Sequence, residues 1–294
     1  MAIDSRAHYR LGLAMAAGGG LCLSFGGLIL RHIESADGWQ ILTIRSLAFA
    51  LTILIYLAWR YRGALQNPVS TIGWSGLLLI PAFSLGFISY LFGLVLTSVA
   101  NVVFIVSTSP FFAAVIGWLV LRERVGAPTW LAILAALGGV AVMVAGGLSA
   151  GGLLGMLVAL GAPISFSILI VIQRRRPEID MLPAVMLGGL LAGLISAGLV
   201  EDWQMSHHDV ALSALMGVGQ IGFGFLLITL GARWLPPAQT ALLTLSEAIL
   251  APLWVWLFVG EEPALATLIG GALILGAVAG LALWELSRKG RRAS

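Results

Sequence analysis

Apolar residues in this chain come in runs of about 20, the length a helix needs to cross the hydrocarbon of a bilayer. Short polar segments carrying nearly all the charge separate them. The runs fall near 11–30, 38–58, 72–94, 98–121 and 128–147. After the glycine-rich turn 146–152 they resume near 153–173, 182–200, 210–232, 237–259 and 265–286. No stretch is left over for a soluble domain. The expected fold is an all-α integral membrane protein of ten transmembrane helices, with one five-helix unit over 1–149 and a second over 150–294.

Composition agrees with this pattern. Of 294 residues, 60% are hydrophobic and 10% charged, more apolar surface than a soluble domain buries. The lipid bilayer is therefore an expected partner and nucleic acid is not. The 16 basic residues, all arginine but for Lys289, report topology. With the N-terminus inside, the inner segments hold Arg6, Arg10, Arg60, Arg62, Arg122, Arg124, Arg174 to Arg176, Arg233 and the basic C-terminus, while the outer ones hold Arg31. Glu34, Asp37, Glu201, Asp202, Asp209, Glu261 and Glu262 collect outside. The positive-inside rule then puts both termini in the cytoplasm, with Met1 to Arg10 leading into an uncleaved first helix. Trp39, Trp59, Trp74, Trp130, Trp203, Trp234 and Trp284 fall near span ends, where an indole anchors a helix at the interface. Cys22 is the single cysteine and is expected to be a buried structural thiol.

The chain repeats itself. A shift of 138 positions lays Gly86-Phe87 on Gly224-Phe225, Gly93 on Gly231, Asn101 on Gln239, Trp118 on Trp256, Glu123 on Glu261 and Leu137-Gly138 on Leu275-Gly276. A shift of 143 lays Leu11-Gly12 on Leu154-Gly155, Ser24 on Ser167 and Arg31 on Arg174. Since each half has an odd number of spans, the second enters the membrane from the opposite side. Inverted repeats of this kind build alternating-access carriers.

The stretch Leu245-Ser246-Glu247-Ala248 through Trp256 to Gly260-Glu261-Glu262 resembles the Glu-Pro motif, apolar run and terminal Gly-Glu of EamA-type members of the drug/metabolite transporter superfamily. Its first-half counterpart runs from Ser109-Pro110 to Arg122-Glu123-Arg124, and Ala248 stands where the family has proline. The likeness covers essentially the whole chain, and within the superfamily the chain looks most like YddG-type exporters of aromatic amino acids. The resemblance implies a secondary transporter of the inner (plasma) membrane that exports small amphipathic metabolites, foremost aromatic and hydrophobic amino acids. A carrier or channel for another metabolite or drug is the alternative.

Candidate binding chemistry sits on polar residues inside the spans. Glu247 lies near the middle of the ninth, where an ionised carboxylate is costly unless paired or wet. Thr240, Thr244 and Glu247 form one i, i+4, i+7 stripe, suited to a zwitterion or equally to bonds back to the helix. Asn101 and Gln239, together with Glu247, are expected to take an amino acid's polar ends. Thr108 and Ser109 either bind substrate or satisfy the carbonyls that Pro110 frees at a hinge. Phe83, Phe87 and Tyr90, downstream of a break expected at Pro81, form a stacking wall or plain packing. Gln220 stands among glycines that allow close helix approach. Arg45 is expected to snorkel to the interface or to join a structural ion pair rather than to bind a substrate carboxylate.

The four histidines, His8, His32, His207 and His208, offer no catalytic or metal pattern, and no nucleotide-binding loop occurs. Neither an enzyme nor a nucleotide-driven pump is expected, and no cofactor. Expected partners are a small-molecule substrate and, if Glu247 carries them, protons. Gly276 and Gly280 would suit a homodimer or packing within a monomer.

Overall fold

A computed structural model describes residues 5–63, 70–122, 126–149, 152–176, 178–235 and 237–293. Glu123 and Arg124, used above in the repeat and the motif, lie outside the described residues. The described secondary structure is entirely helical. The first unit holds α1 (Ser5–Ser24), α2 (Gly26–Arg31), α3 (Gly38–Arg60), α4 (Gly73–Leu96), α5 (Val99–Val106), α6 (Ser109–Leu121) and α7 (Ala127–Ser149). The second holds α8 (Leu153–Ala159), α9 (Gly161–Arg175), α10 (Leu182–Ala197), α11 (His207–Leu215), a π-helical stretch Met216–Phe223, α12 (Gly224–Gly231), α13 (Pro237–Val259) and α14 (Leu265–Ala293). Among the described residues, eight helical units are long and apolar enough to cross a membrane. Leu182–Ala197 and Leu243–Val259 are shorter apolar helices.

Several expected spans are broken where propensity or proline weakens the helix. Phe25 separates α1 from α2 just before the poor helix formers Gly26 and Gly27. Ser107 and Thr108 separate α5 from α6, whose first turn carries Pro110, a position where the missing N–H costs nothing. Leu160 separates α8 from α9, three residues before Pro163, which cannot donate to the Ala159 carbonyl. Pro81 corrects an expectation, because α4 runs through it unbroken and the residue lies exposed on the surface. Likewise α13 is continuous past Ala248, the position where the family pattern has proline.

Packing is reciprocal between the units. α3 lies on α10, α11 and the π-helical stretch; α1 lies between α12 and α13; α4 packs on α9 and α10; α6 packs on α9; and α7 packs on α14. The outer surface of the bundle is a belt of leucine, isoleucine and tryptophan, including Leu51, Ile55, Leu131, Leu134 and Leu265, as a lipid-facing surface should be. At Gly276 and Gly280 an added Cβ would meet no other described residue within 4 Å, so neither glycine is required by a close approach inside the bundle. It is Gly139 and Gly270 that let α7 and α14 close on each other.

One end of the bundle is stitched by buried polar groups. Asp37 caps α3 in a reciprocal box with Gln40, and the Gln40 amide donates to the Asp202 carbonyl at 2.6 Å. Asp209, fully buried, accepts from the backbone N–H groups of Glu34 (3.1 Å), Ser35 (3.0 Å) and Ala36 (3.1 Å) and from the Ser35 hydroxyl (2.6 Å). At the opposite end Asp180 accepts from Tyr61 (2.9 Å) and pairs with Arg60 (3.1 Å). Charge-assisted bonds of this type are about twice as strong as neutral ones. Replacing Asp209 by Asn leaves backbone donors facing an amide that can accept at one oxygen only. Asp209→Asn should cost at least about 2 kcal/mol, seen as a fall of several degrees in Tm of the detergent-solubilised protein.

Candidate functional site

The centre of the bundle holds two charged side chains that are not paired with each other. Arg45, on α3, is fully buried. Its Cζ lies 5.0 Å from the centre of the Phe87 ring and 5.3 Å from that of Tyr90. Its Nε, Nη1 and Nη2 have no hydrogen-bond acceptor among the described residues. The expectation of snorkelling or of a structural ion pair is thus overturned, because packing by α4 and the π-helical stretch closes the route to the interface and brings no carboxylate. Glu247, half-buried on α13, receives the hydroxyl of Tyr90. Tyr90 stands between the two charges, its ring face toward Arg45 and its hydroxyl toward Glu247.

Local sequence explains how these groups meet. Gly217, in the π-helical stretch, lies so close to the Arg45 carbonyl and the Ala48 side chain that a Cβ would collide with both. A π-helical turn is itself a common mark of functional positions, because it carries one residue more per turn and re-aims its neighbours. Gln220 sits in this stretch, donating its Nε2 to the Leu23 carbonyl at 3.2 Å while its buried Oε1 has no donor. A Cβ on Gly26 would meet the Gln220 Nε2 at 2.9 Å and the Tyr90 hydroxyl at 3.2 Å, so these groups converge on the start of α2. The α1–α2 break is held by α13, where Trp254 stacks on Phe25 (5.5 Å between ring centres) and donates to the Ser24 hydroxyl at 3.0 Å.

Beside the charges lies an aromatic wall. Phe83 and Phe87 are both buried and join Phe49 and Phe225 in one cluster, with Phe49 to Phe87 the tightest pair at 4.8 Å. Phe87 and Phe225 are the two positions that the internal repeat superimposes.

Other candidates from the sequence lie elsewhere or are spent on the backbone. Asn101 donates to the Thr97 hydroxyl (2.9 Å) and accepts from the Thr267 hydroxyl (2.8 Å), near the Arg31 end of the bundle. Gln239 accepts from Tyr9 at 3.0 Å, near the other end of α1. The two are therefore about a membrane thickness apart and flank the centre rather than meet in it. Thr108 and Ser109 donate to the carbonyls of Ile105 and Val106, which satisfies the α5–α6 break. Thr240 and Thr244 are half-buried on α13 and each has an interaction partner. An apolar groove lined by Phe104, Ala248, Pro252, Leu253, Trp256 and Leu275 opens sideways on the bundle. It carries none of the polar groups above.

Sequence reasoning missed the junction of α2 with the end of α13. Arg31 Nε pairs with Glu261 at 2.7 Å while its Nη1 and Nη2 donate to the Leu94 and Thr97 carbonyls, and Glu261 also accepts from the Val99 N–H at 2.9 Å. Gly260 makes this possible, since its φ of +76° turns the chain off the end of α13 and aims Glu261 back at α2. The signal was present in the sequence, as Arg31 is the lone basic residue among the acidic segments.

The EamA-like transporter family model matches residues 10–145 and 153–283. The uncharacterized transporter YdfC of Bacillus subtilis (strain 168) is 28% identical over 214 residues, covering 68% of this chain and 70% of the relative. A protein of known crystal structure is similar in fold, with a TM-score of 0.64, 19% identity, and coverage of 95% of this chain and 98% of its own.

The close approach at Gly217 gives a test of the site's construction. Gly217→Ala should lower Tm in detergent by several degrees, as overpacking costs about 1–3 kcal/mol. Gly276→Ala, which meets open space, should leave it unchanged.

Proposed function

Because the chain belongs to the EamA-like transporter family, we propose that it is a ten-span carrier that exports aromatic and other hydrophobic amino acids. That it is a membrane transporter and not an enzyme follows from the family and the YdfC likeness; substrate and mechanism are the proposal. On this reading Leu182–Ala197 and Leu243–Val259 complete the ten spans, and two inverted five-helix repeats form the two rocking bodies. The family model's two matched segments support the repeat. So does the reciprocal packing, in which α1 on α13 mirrors α9 on α6 and α1 on α12 mirrors α9 on α4. The arginine distribution supports cytoplasmic termini in an inner (plasma) membrane.

One observation carries the substrate class. Glu247 and its Tyr90 contact lie at the meeting of the two units, beside Phe49, Phe83, Phe87 and Phe225. A carboxylate next to an aromatic wall suits an ammonium group attached to an apolar body. Access from the outer side would require the Arg31–Glu261 pair to part, since it ties α2 to the α13–α14 junction.

In proteoliposomes, radiolabelled tryptophan and phenylalanine should show saturable uptake and counterflow, with threonine slower. Counterflow marks a carrier, and its absence alongside flux would mark a channel. Glu247→Gln should lower tryptophan flux at least about tenfold, as the loss of a charge-assisted contact implies. With an imposed pH gradient, a response in wild type that vanishes in Glu247→Gln would place proton coupling at this carboxyl. If none of these amino acids moves faster than in empty liposomes, the amino-acid assignment is wrong.

A further inference from the structure

We propose that the Arg45 guanidinium binds the anionic group of the transported molecule, its carboxylate in the case of an amino acid. This rests on the carrier reading above and extends it, because it makes a negatively charged group beside an apolar body the feature the site selects.

The argument starts from how this protein treats its other arginines near the membrane. Arg31 is matched by Glu261 and two backbone carbonyls, and Arg60 by Asp180. Arg45 is more deeply buried than either, yet its guanidinium lies over the rings of Phe87 and Tyr90 and has no hydrogen-bond acceptor among the described residues. Aromatic faces attract a cation through the ring quadrupole, but they serve the flat face of the guanidinium and leave its in-plane N–H donors unused. Those donors form a fork whose natural complement is a planar carboxylate or a tetrahedral oxyanion.

The surroundings fit such a ligand. Glu247 is engaged by Tyr90, so the nearest carboxylate across the ring is held away from Arg45. Tyr90 thus separates a cationic group from an anionic one by a single side chain, and a zwitterion could lay its carboxylate on Arg45 and its ammonium toward Glu247. The same ring, with Phe87 and Phe83, begins the wall that an aromatic side chain would stack on. Gln220 Oε1, buried and without a donor, adds an acceptor for an ammonium N–H next to Tyr90. Arg45 itself is fixed by the Gly217 contact on its backbone, so the fork is presented by a rigid element.

The test compares three indole compounds as competitors of labelled tryptophan counterflow in proteoliposomes: tryptophan, tryptamine, which lacks the carboxylate, and indole-3-propionate, which lacks the ammonium. Wild type should prefer tryptophan to tryptamine by about tenfold or more, the worth of one charge-assisted bidentate contact. Arg45→Met should bring that ratio to within about twofold, and Arg45→Lys, which keeps the charge and loses the fork, should fall between. Glu247→Gln should leave the tryptophan-to-tryptamine ratio intact while reducing the preference over indole-3-propionate. A tenfold ratio retained in well-folded Arg45→Met overturns the proposal. If Arg45→Met fails to fold, Arg45→Lys and the wild-type ratio decide it, and a wild type that treats tryptophan and tryptamine alike overturns it. If no indole compound moves at all, the amino-acid reading falls. The anion anchor then stands on whether acetate, benzoate or inorganic phosphate raises the Tm of wild type but not of Arg45→Lys, and no such rise overturns it too.

Discussion

Hydrocarbon offers no hydrogen-bond partner, so every polar group this chain carries into the membrane must be answered from within the protein. That constraint decides which residues stand where helices break. At the α1–α2 break Ser24 donates to the Leu21 carbonyl and receives the Trp254 N–H. At the α5–α6 break Ser107, Thr108 and Ser109 each reach back to a carbonyl of α5, and Ser167 of α9 donates to the Ser109 carbonyl and to that of Pro163. Small hydroxyls are therefore structural at these points, and the breaks are sustained because their neighbours supply the missing bonds. The bundle can then hold irregular backbone at membrane depth without exposing it to lipid.

The same rule, applied to charge, separates the ends of the bundle from its centre. At the ends, charged groups are matched: Asp209 by three N–H groups and a hydroxyl, Asp180 by Tyr61 and Arg60, Glu261 by Arg31 and the Val99 N–H. At the centre, among the described residues, Arg45 has two ring faces and no acceptor, and Gln220 Oε1 has no donor. The buried hydroxyls of Ser46, Ser84 and Ser213 also have no partner among the described residues, but Arg45 is a charge left so, and a buried charge without a hydrogen-bond partner is the kind of departure that functional sites show.

How much of this could be read in the sequence follows from which signals are local. Span positions were legible because about 20 consecutive apolar residues have few alternatives. Glu247 and Gln220 were legible as rare polar residues inside spans, and Phe83, Phe87 and Tyr90 as a helical stripe. Their convergence was not, because the contact between Tyr90 and Glu247 joins residues more than 150 positions apart, and the Tyr90 hydroxyl and Gln220 meet only where Gly26 leaves room for them. Arg45 was visible, but its helix alone gave it an open path to the interface; only the packing of α4 and the π-helical stretch removes that path. Pro81 and Pro110 show the limit of residue-type rules. One lies mid-helix without a break, and the other opens a helix whose break precedes it.

Two ties at the Arg31 end of the bundle differ in how well they withstand separation. Asp209 is fully buried under the 34–36 loop, and separating it from three N–H groups would leave buried donors and a buried charge unanswered at once. Arg31 and Glu261 are each 24% exposed, so water can take over their hydrogen bonds as they part, and such pairs are worth little net free energy. The loop 34–36 and α11 should therefore hold together as one piece, while the contact between α2 and the α13–α14 junction is the weaker tie at this end of the bundle. That contact sits above the α1–α2 break, whose Phe25 rests on Trp254 of α13. A displacement of α13 that freed Glu261 would also shift Glu247 relative to Tyr90, because one carboxylate stands on that helix and the other directly past its end.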